Sequence, residues 1–489
     1  MAATGDWITP RLWGSPWFEK PVLYYWTAGM AMRIFGVGEF AARLPSALAA
    51  LLAVIAVAWT ALRSYGIAAA WFSLLMLPTS VAIVAFSRAA SPDMLFAGFL
   101  TAAMAVASEM LQKPRPGAVL RIAFGFFLGG AVLAKGPAAV ILAGGATLVW
   151  AALSRQWTAP FRFLHPLIIA VFFVTALPWY VLCALRNPDF LRVFIWQHNF
   201  QRYLTPVFEH RQPFWFFGVI FLLSIIPWLP FLISSISDAN ATIRSTEWRD
   251  SPGLFIVCWS LFTLIFFSLS QSKLPGYILP AIPPAILLIA RSAARRVQQK
   301  SSILPPLVIC TGLMFPVGVG IALVQWNHAP NIDFLLRTNI ARGFQIALGA
   351  TLFLAAVIAV YALRRRLNEA IFVAASTTAL LILIANRLIL PGTDTLVSPR
   401  PAAMWAIQGH SLSADDIAVY ALPRAYGYGL DYYFNATLPE WTPKNTNSKI
   451  LFCGRAALDS PEMERLLSGK SEFPATGDGK VFVVILNSD

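Results

Sequence analysis

The strongest constraint on this chain is a succession of unbroken apolar runs, each about 18–23 residues long and so able to cross a hydrocarbon layer of roughly 30 Å. They fall at 41–62, 67–86, 94–111, 119–134, 137–154, 164–184, 214–235, 252–270, 274–291, 303–325, 342–363 and 368–390. Backbone polar groups inside a bilayer must be satisfied within the segment, so these runs are expected as helices. Of the 489 residues 58% are hydrophobic and 12% charged, about half the charged share of a soluble domain. A lipid solvent accounts for that balance where a soluble core does not. The expectation is an all-α polytopic membrane protein of about twelve transmembrane helices.

The net charge of +14 does not point to nucleic acid, because Lys and Arg sit in short clusters between the apolar runs and form no single basic face. Cys183, Cys258 and Cys310 fall in expected spans and Cys453 stands alone, so neither a CxxC pair nor a disulfide framework is legible. The opening MAATGDWITPRLWGSPWFEKP has no basic segment followed by an apolar one and does not read as a signal peptide.

Lys113, Arg115 and Arg121; Arg155 and Arg162; Arg291, Arg295, Arg296 and Lys300; and Arg364, Arg365 and Arg366 occupy one alternate set of connections. The positive-inside rule assigns that set to the cytoplasm. Three parts follow. Residues 1–40 are expected as an extracytoplasmic interfacial stretch, with Trp7, Trp13, Trp17, Phe18, Tyr24, Tyr25 and Trp26 at headgroup level. Residues 41–391 make the multi-span domain, with 185–213 a second long outer loop. Residues 392–489 are expected as a small extracytoplasmic α/β domain, in which DDIAVYAL and KVFVVIL read as strands and SPEMERLLSG as a short helix.

Under this topology the costly charges gather on one face. They are Glu19 and Lys20 in WFEKP, Arg88 and Asp93 in SRAASPDM, Lys135 in LAKGP, His198 and Arg202 in WQHNFQRY, Arg211, and Lys273 in SQSKLPGY. A snorkelling anchor explains any single Lys or Arg as well as a site does. The set resists that reading, because an acid gains little at a membrane edge without a cation or a substrate. Mixed acids and bases suit a site that holds a phosphate with Lys and Arg while a carboxylate handles a hydroxyl or amine. GGAVLAKGP lacks the order of a P-loop, and no HExxH occurs. Gly125 and Gly129 form a GxxxG, a pattern of close helix packing.

FEKPVLYYW, EFAARLPSAL, SRAASPDM, AKGP, ALPWYVL, RNPDF, WQHNFQRYLTPVFEHRQPFW and SLSQSKLPGYILPAIPP together resemble membrane glycosyltransferases of the protein mannosyltransferase type, most closely the bacterial transferases that add aminoarabinose to lipid A. The resemblance covers roughly residues 1–290, and the tail is similar in size and position to the family's periplasmic domain. It implies a GT-C fold in a bacterial inner membrane, with the active site and tail outside the cytoplasm. It also implies inverting transfer of a sugar from a polyprenyl phosphate to a lipid, such as lipid A, or to a protein. Matched by position, Lys20, Arg202 and Lys273, with Tyr277 beside it, would bind the donor phosphate, and Glu19 and Asp93 would be the catalytic carboxylates. Arg88, Lys135, His198 and Arg211 are further substrate-site candidates. The resemblance implies no nucleotide sugar and fixes no cofactor, and it leaves open a divalent metal between Glu19 and His198. Family members usually begin with another transmembrane helix and an acidic motif holding the catalytic Asp. This sequence starts downstream of both, and Asp6, in GDW, is not that residue's equivalent. Two other readings stay open: a non-catalytic relative that binds polyprenyl lipids, and a lipid flippase or transporter, although the internal repeat typical of transporters is not seen.

Overall fold

The computed structural model describes residues 1, 4–12, 14–205, 212–244, 248–328, 334–442, 448–458, 471–476 and 479–486. After a short hairpin of β1 (Arg11–Leu12) and β2 (Ser15–Pro16), the chain runs through α1 (Leu23–Phe35), α2 (Glu39–Tyr65), α3 (Ile67–Met76), α4 (Val81–Phe86), α5 (Pro92–Leu111), α6 (Ala118–Lys135), α7 (Ala138–Ser154) and α8 (Pro166–Arg186). A wide helical turn at Arg192–Gln201 leads into α9 (Arg202–Leu204), followed by α10 (Phe216–Ser224), α11 (Pro230–Ile243), α12 (Pro252–Ser268) and α13 (Ile282–Gln298). Then come α14 (Leu304–Asn327), α15 (Phe334–Leu363), α16 (Leu367–Ile384), α17 (Leu390–Val397) and α18 (Arg400–Met404).

Among the described residues eight helical segments are long and apolar enough to cross a membrane, and Ile67–Met76, Ala138–Ser154 and Pro252–Ser268 are shorter apolar helices. The protein is multi-pass. Two expected spans are broken. The run 67–86 divides into α3 and α4 where Pro78 follows Leu77, and 214–235 divides into α10 and α11 around Pro227 and Pro230. Proline removes a helix donor and disfavours the helical conformation of the residue before it. Hydropathy is blind to that break. Conversely, α15 starts at Phe334, ahead of the expected 342, and the last span reaches Val397.

Contacts divide the chain into two compact units, Met1–Gly312 with Ala356–Ala375, and Leu313–Ala355 with Ser376–Asp489. In the first unit small residues let helices approach closely. A Cβ on Gly98 of α5 would run into the Ala49 carbonyl of α2. A Cβ on Gly125 would lie 2.7 Å from the Ile168 carbonyl oxygen, and one on Gly129 would lie 2.8 Å from Thr175 Cβ, so the GxxxG of α6 is the seam with α8. At the far end of α2 and α5, Glu109 is clamped by Arg63 and Lys113, each at 2.9 Å.

In the second unit, β3 (Ile417–Tyr420), β4 (Ile450–Gly454), β5 (Glu472–Pro474) and β6 (Val481–Ile485) form a sheet in the order β3-β4-β6-β5, parallel only between β3 and β4. Strand alternation sorts its core. Ile417, Ile450, Phe452, Val481 and Val483 pack with α19 (Arg424–Phe434) residues Tyr426 and Leu430, whereas Ala418, Leu451, Cys453 and Val484 face Trp441, near the short α20 (Arg455–Leu458). The two expected strands are thus present; the expected helix SPEMERLLSG lies outside the described residues.

Candidate active site

The N-terminal segment is tied to the helices by hydrogen bonds to two backbone carbonyls and one hydroxyl. Trp26 Nε1 donates to the Trp7 carbonyl at 2.7 Å, Trp179 Nε1 to the Ile8 carbonyl at 2.9 Å, and Asn187 Nδ2 to Thr9 Oγ1 at 3.0 Å. Asp6 accepts from the Ile8 and Thr9 amides and pairs with Arg186, so it braces this turn. Phe18 then packs edge-on against Phe190, and Phe190 stacks on Phe194. These contacts deliver Glu19 and Lys20 to the wall of a cavity of about 380 Å³.

Glu19, Lys20, Lys135, His198, Arg202 and Tyr277 all line that cavity. Arg202 Nη1 donates to Glu19 Oε1 at 3.1 Å, and Lys20 Nζ lies 3.5 Å from the same oxygen. Lys135 Nζ contacts Asp93 Oδ1 and sits 4.7 Å from the centre of the Tyr277 ring. Asp93 begins α5 after Pro92, and Ser91 Oγ donates to its second oxygen at 3.4 Å. Gly136, at φ 88°, turns the chain directly after Lys135, and a Cβ there would come within 2.8 Å of Phe194. Gly276 leaves room for Asp93 in the same way, since its Cβ would lie 3.1 Å from the carboxyl carbon.

Three cations face two carboxylates, so the cavity favours an added anion. Burial pulls the Glu19 carboxyl up, but Lys20 and Arg202 beside it more than offset this and leave it below the usual carboxylate range. Burial pushes the Lys20 ammonium down to about 8; Arg202 adds to the fall and Glu19 opposes it. His198 is lowered by burial and by the neighbouring Lys20 and Arg202, against the pull of Glu19.

The remaining sequence candidates are placed differently. Lys273 is buried with its Nζ on the Ser270 carbonyl; Ser270 lines the cavity and Lys273 does not. Arg88 is exposed and is not part of the wall. Arg211 lies outside the described residues. The Glu19 and His198 pair does not fit a divalent metal, because Glu19 is already held by two cations, and no group of three His, Cys, Asp or Glu that could hold one occurs among the described residues.

Residues 19–180 match the model of the dolichyl-phosphate-mannose-protein mannosyltransferase family. An undecaprenyl phosphate-α-4-amino-4-deoxy-L-arabinose arabinosyl transferase of Edwardsiella ictaluri is 32% identical over 297 residues, 59% of this chain and 52% of that protein. The second such transferase of Sodalis glossinidius is 32% identical over 347 residues, 68% of this chain and 60% of that one. The chain therefore spans about half to three-fifths of the length of these curated relatives. The crystal structure of ArnT from Cupriavidus metallidurans bound to undecaprenyl phosphate superposes with a TM-score of 0.80 at 23% identity, over 100% of this chain and 92% of that one. In fold the chain is similar to ArnT, and in sequence it is similar to these transferases over part of their length.

Within this ArnT-like fold the cavity also uses residues that sequence reasoning passed over. Tyr203 donates from its hydroxyl to the Phe266 carbonyl at 2.8 Å, tying α9 to the end of α12. Asn199 Nδ2 holds the Phe194 carbonyl at 2.7 Å. Both lie inside WQHNFQRY, but an uncharged side chain beside a membrane carries no cost that would single it out.

Proposed function

We propose that the protein transfers a sugar from a polyprenyl-phosphate donor to a lipid or protein acceptor, with inversion, on the extracytoplasmic face of a bacterial inner membrane. The observation that carries this is the convergence of Glu19, Lys20, Lys135, His198, Arg202 and Tyr277, drawn from the N-terminal segment, the α6 end, the outer loop and the turn before α13, on one cavity. The names of the relatives, and the undecaprenyl phosphate bound to the similar ArnT, support the donor class. The basic clusters on the opposite set of connections support the orientation, with residues 1–40 and 392–489 outside and 41–391 as the spanning domain.

Lys20 and Arg202 hold the donor phosphate, and Tyr277 fixes Lys135 through its ring. The acceptor oxygen or nitrogen attacks the anomeric carbon from the side opposite the phosphate. The carbon–oxygen bond to phosphate breaks, and polyprenyl phosphate leaves with the electron pair, its charge met by the two cations. The acceptor's proton passes to a carboxylate, Glu19 or Asp93. Lys273 acts from behind the wall by holding the Ser270 carbonyl.

The test is turnover by purified protein supplied with polyprenyl-phosphate aminoarabinose and lipid A, followed by release of free polyprenyl phosphate. Release that is lost in Lys20→Ala and Asp93→Asn is the expected result. Tight donor binding with no release under any acceptor would instead identify a lipid-binding relative.

A further inference from the structure

A second cavity, of about 600 Å³, lies toward the opposite end of α12 from the charged one. Leu254, Val257 and Leu261 line it from the first ten residues of α12, whereas Phe266 and Phe267 face the charged cavity. From Ser251 to Leu261 the wall runs about 15 Å along the helix axis, or half the thickness of a hydrocarbon core. Its lining is mainly aliphatic, with Trp248, Asp238 and Arg291 among its polar groups. Ile236 and Ile243 of α11 are 60% exposed and Leu261 is 50% exposed, so the flank opens onto surrounding lipid.

The charges at the mouth are not equivalent. Asp238 accepts from Arg296 Nη2 and from Ser292 Oγ, both at 2.7 Å, and is neutralised there. Arg291 has no carboxylate partner among the described residues; its guanidinium lies 4.8 Å from the centre of the Tyr65 ring, against the first turn of α12. Gly253 keeps that place open, since a Cβ there would approach Arg291 Nη1 to 2.5 Å. Arg249, over the Trp248 ring at 5.1 Å, adds a second cation, with Asp250 exposed beside it.

We propose that this cavity binds one acyl chain of an anionic phospholipid, with the lipid phosphate on Arg291. An aliphatic trough of this size with polar groups at one end suits a chain with a headgroup. Its lateral opening admits the ligand from the bilayer. The cluster of Arg291, Arg295, Arg296 and Lys300 marks the leaflet in which a negative headgroup is favoured.

Native mass spectrometry of the protein taken from bilayers of equal phosphatidylglycerol and phosphatidylcholine tests this. One phosphatidylglycerol is expected to be retained per chain, in about fivefold preference to phosphatidylcholine. Val257→Trp, which fills the trough and leaves Arg291 in place, should abolish retention of both lipids. Arg291→Gln should keep a bound lipid and lose the preference. The proposal is overturned if the parent protein retains no lipid or shows no preference, or if folded Val257→Trp retains lipid as the parent does. Displacement of the lipid by inorganic phosphate alone, or stronger retention of polyprenyl phosphate than of phosphatidylglycerol, would overturn it as well.

Discussion

Lys20 sets the pH dependence of donor binding in the proposed reaction. Its ammonium is held at about 8, first by burial and then by Arg202, so it carries its charge below that pH and loses it above. A phosphate gains from the charged form. Donor affinity should therefore be flat at neutral pH and fall as pH rises past about 8. Because Glu19 raises the Lys20 value, Glu19→Gln should move the fall to lower pH, and Arg202→Gln should move it higher; an unchanged midpoint in both variants would remove Lys20 from the binding step. Arg202 is 9% exposed and bonds Glu19 through one nitrogen. Arg202→Ala should cut turnover about 100-fold in the release assay. Arg202→Lys should restore only part of it, since an ammonium cannot reproduce the planar fork of a guanidinium.

At the scale of elements, the α6 and α8 seam shows what a small-residue motif does here. Gly125 and Gly129 meet the backbone and Thr175 of α8 with no space for a side chain. α6 ends at Lys135 and α8 bears Trp179, which pins the N-terminal segment, so this seam sets the distance between two parts of the site wall. Gly129→Leu should cost about 1–3 kcal/mol in stability, seen as a lower melting temperature in detergent, and should weaken donor binding in the protein that stays folded. A variant as stable and active as the parent would show that the seam does not position the site. By contrast Gly144, with open space around its Cβ position, should accept alanine without loss.

For the whole molecule the proposed orientation rests on charge bias, and labelling tests it. A cysteine at exposed Asp415 should react in intact cells with a maleimide that does not cross membranes. One at exposed Arg364 should react only after the membrane is opened. The reverse pattern would place the charged cavity on the cytoplasmic side and remove the orientation proposed for the reaction.

Membrane residence, the approximate place of each apolar run, and two of the four strands of the tail sheet, β3 and β6, were legible in the sequence by itself, because hydropathy and strand alternation are local properties that any chain of this pattern must satisfy. So were Glu19, Lys20, Asp93, Lys135, His198, Arg202 and Tyr277, since charge and its motifs stand out beside apolar runs. Only the tertiary structure decided which of those charges meet. Asp93 and Lys135 are 42 residues apart and Arg202 and Glu19 are 183 apart; nothing in sequence distance brings them together, and helix packing does. It also set Lys273 behind the wall and left Arg88 outside it, and it broke two spans where proline outweighs hydropathy. The second cavity is of the same origin: its lining residues carry no motif, and only the spacing of α11, α12 and α13 leaves a volume between them.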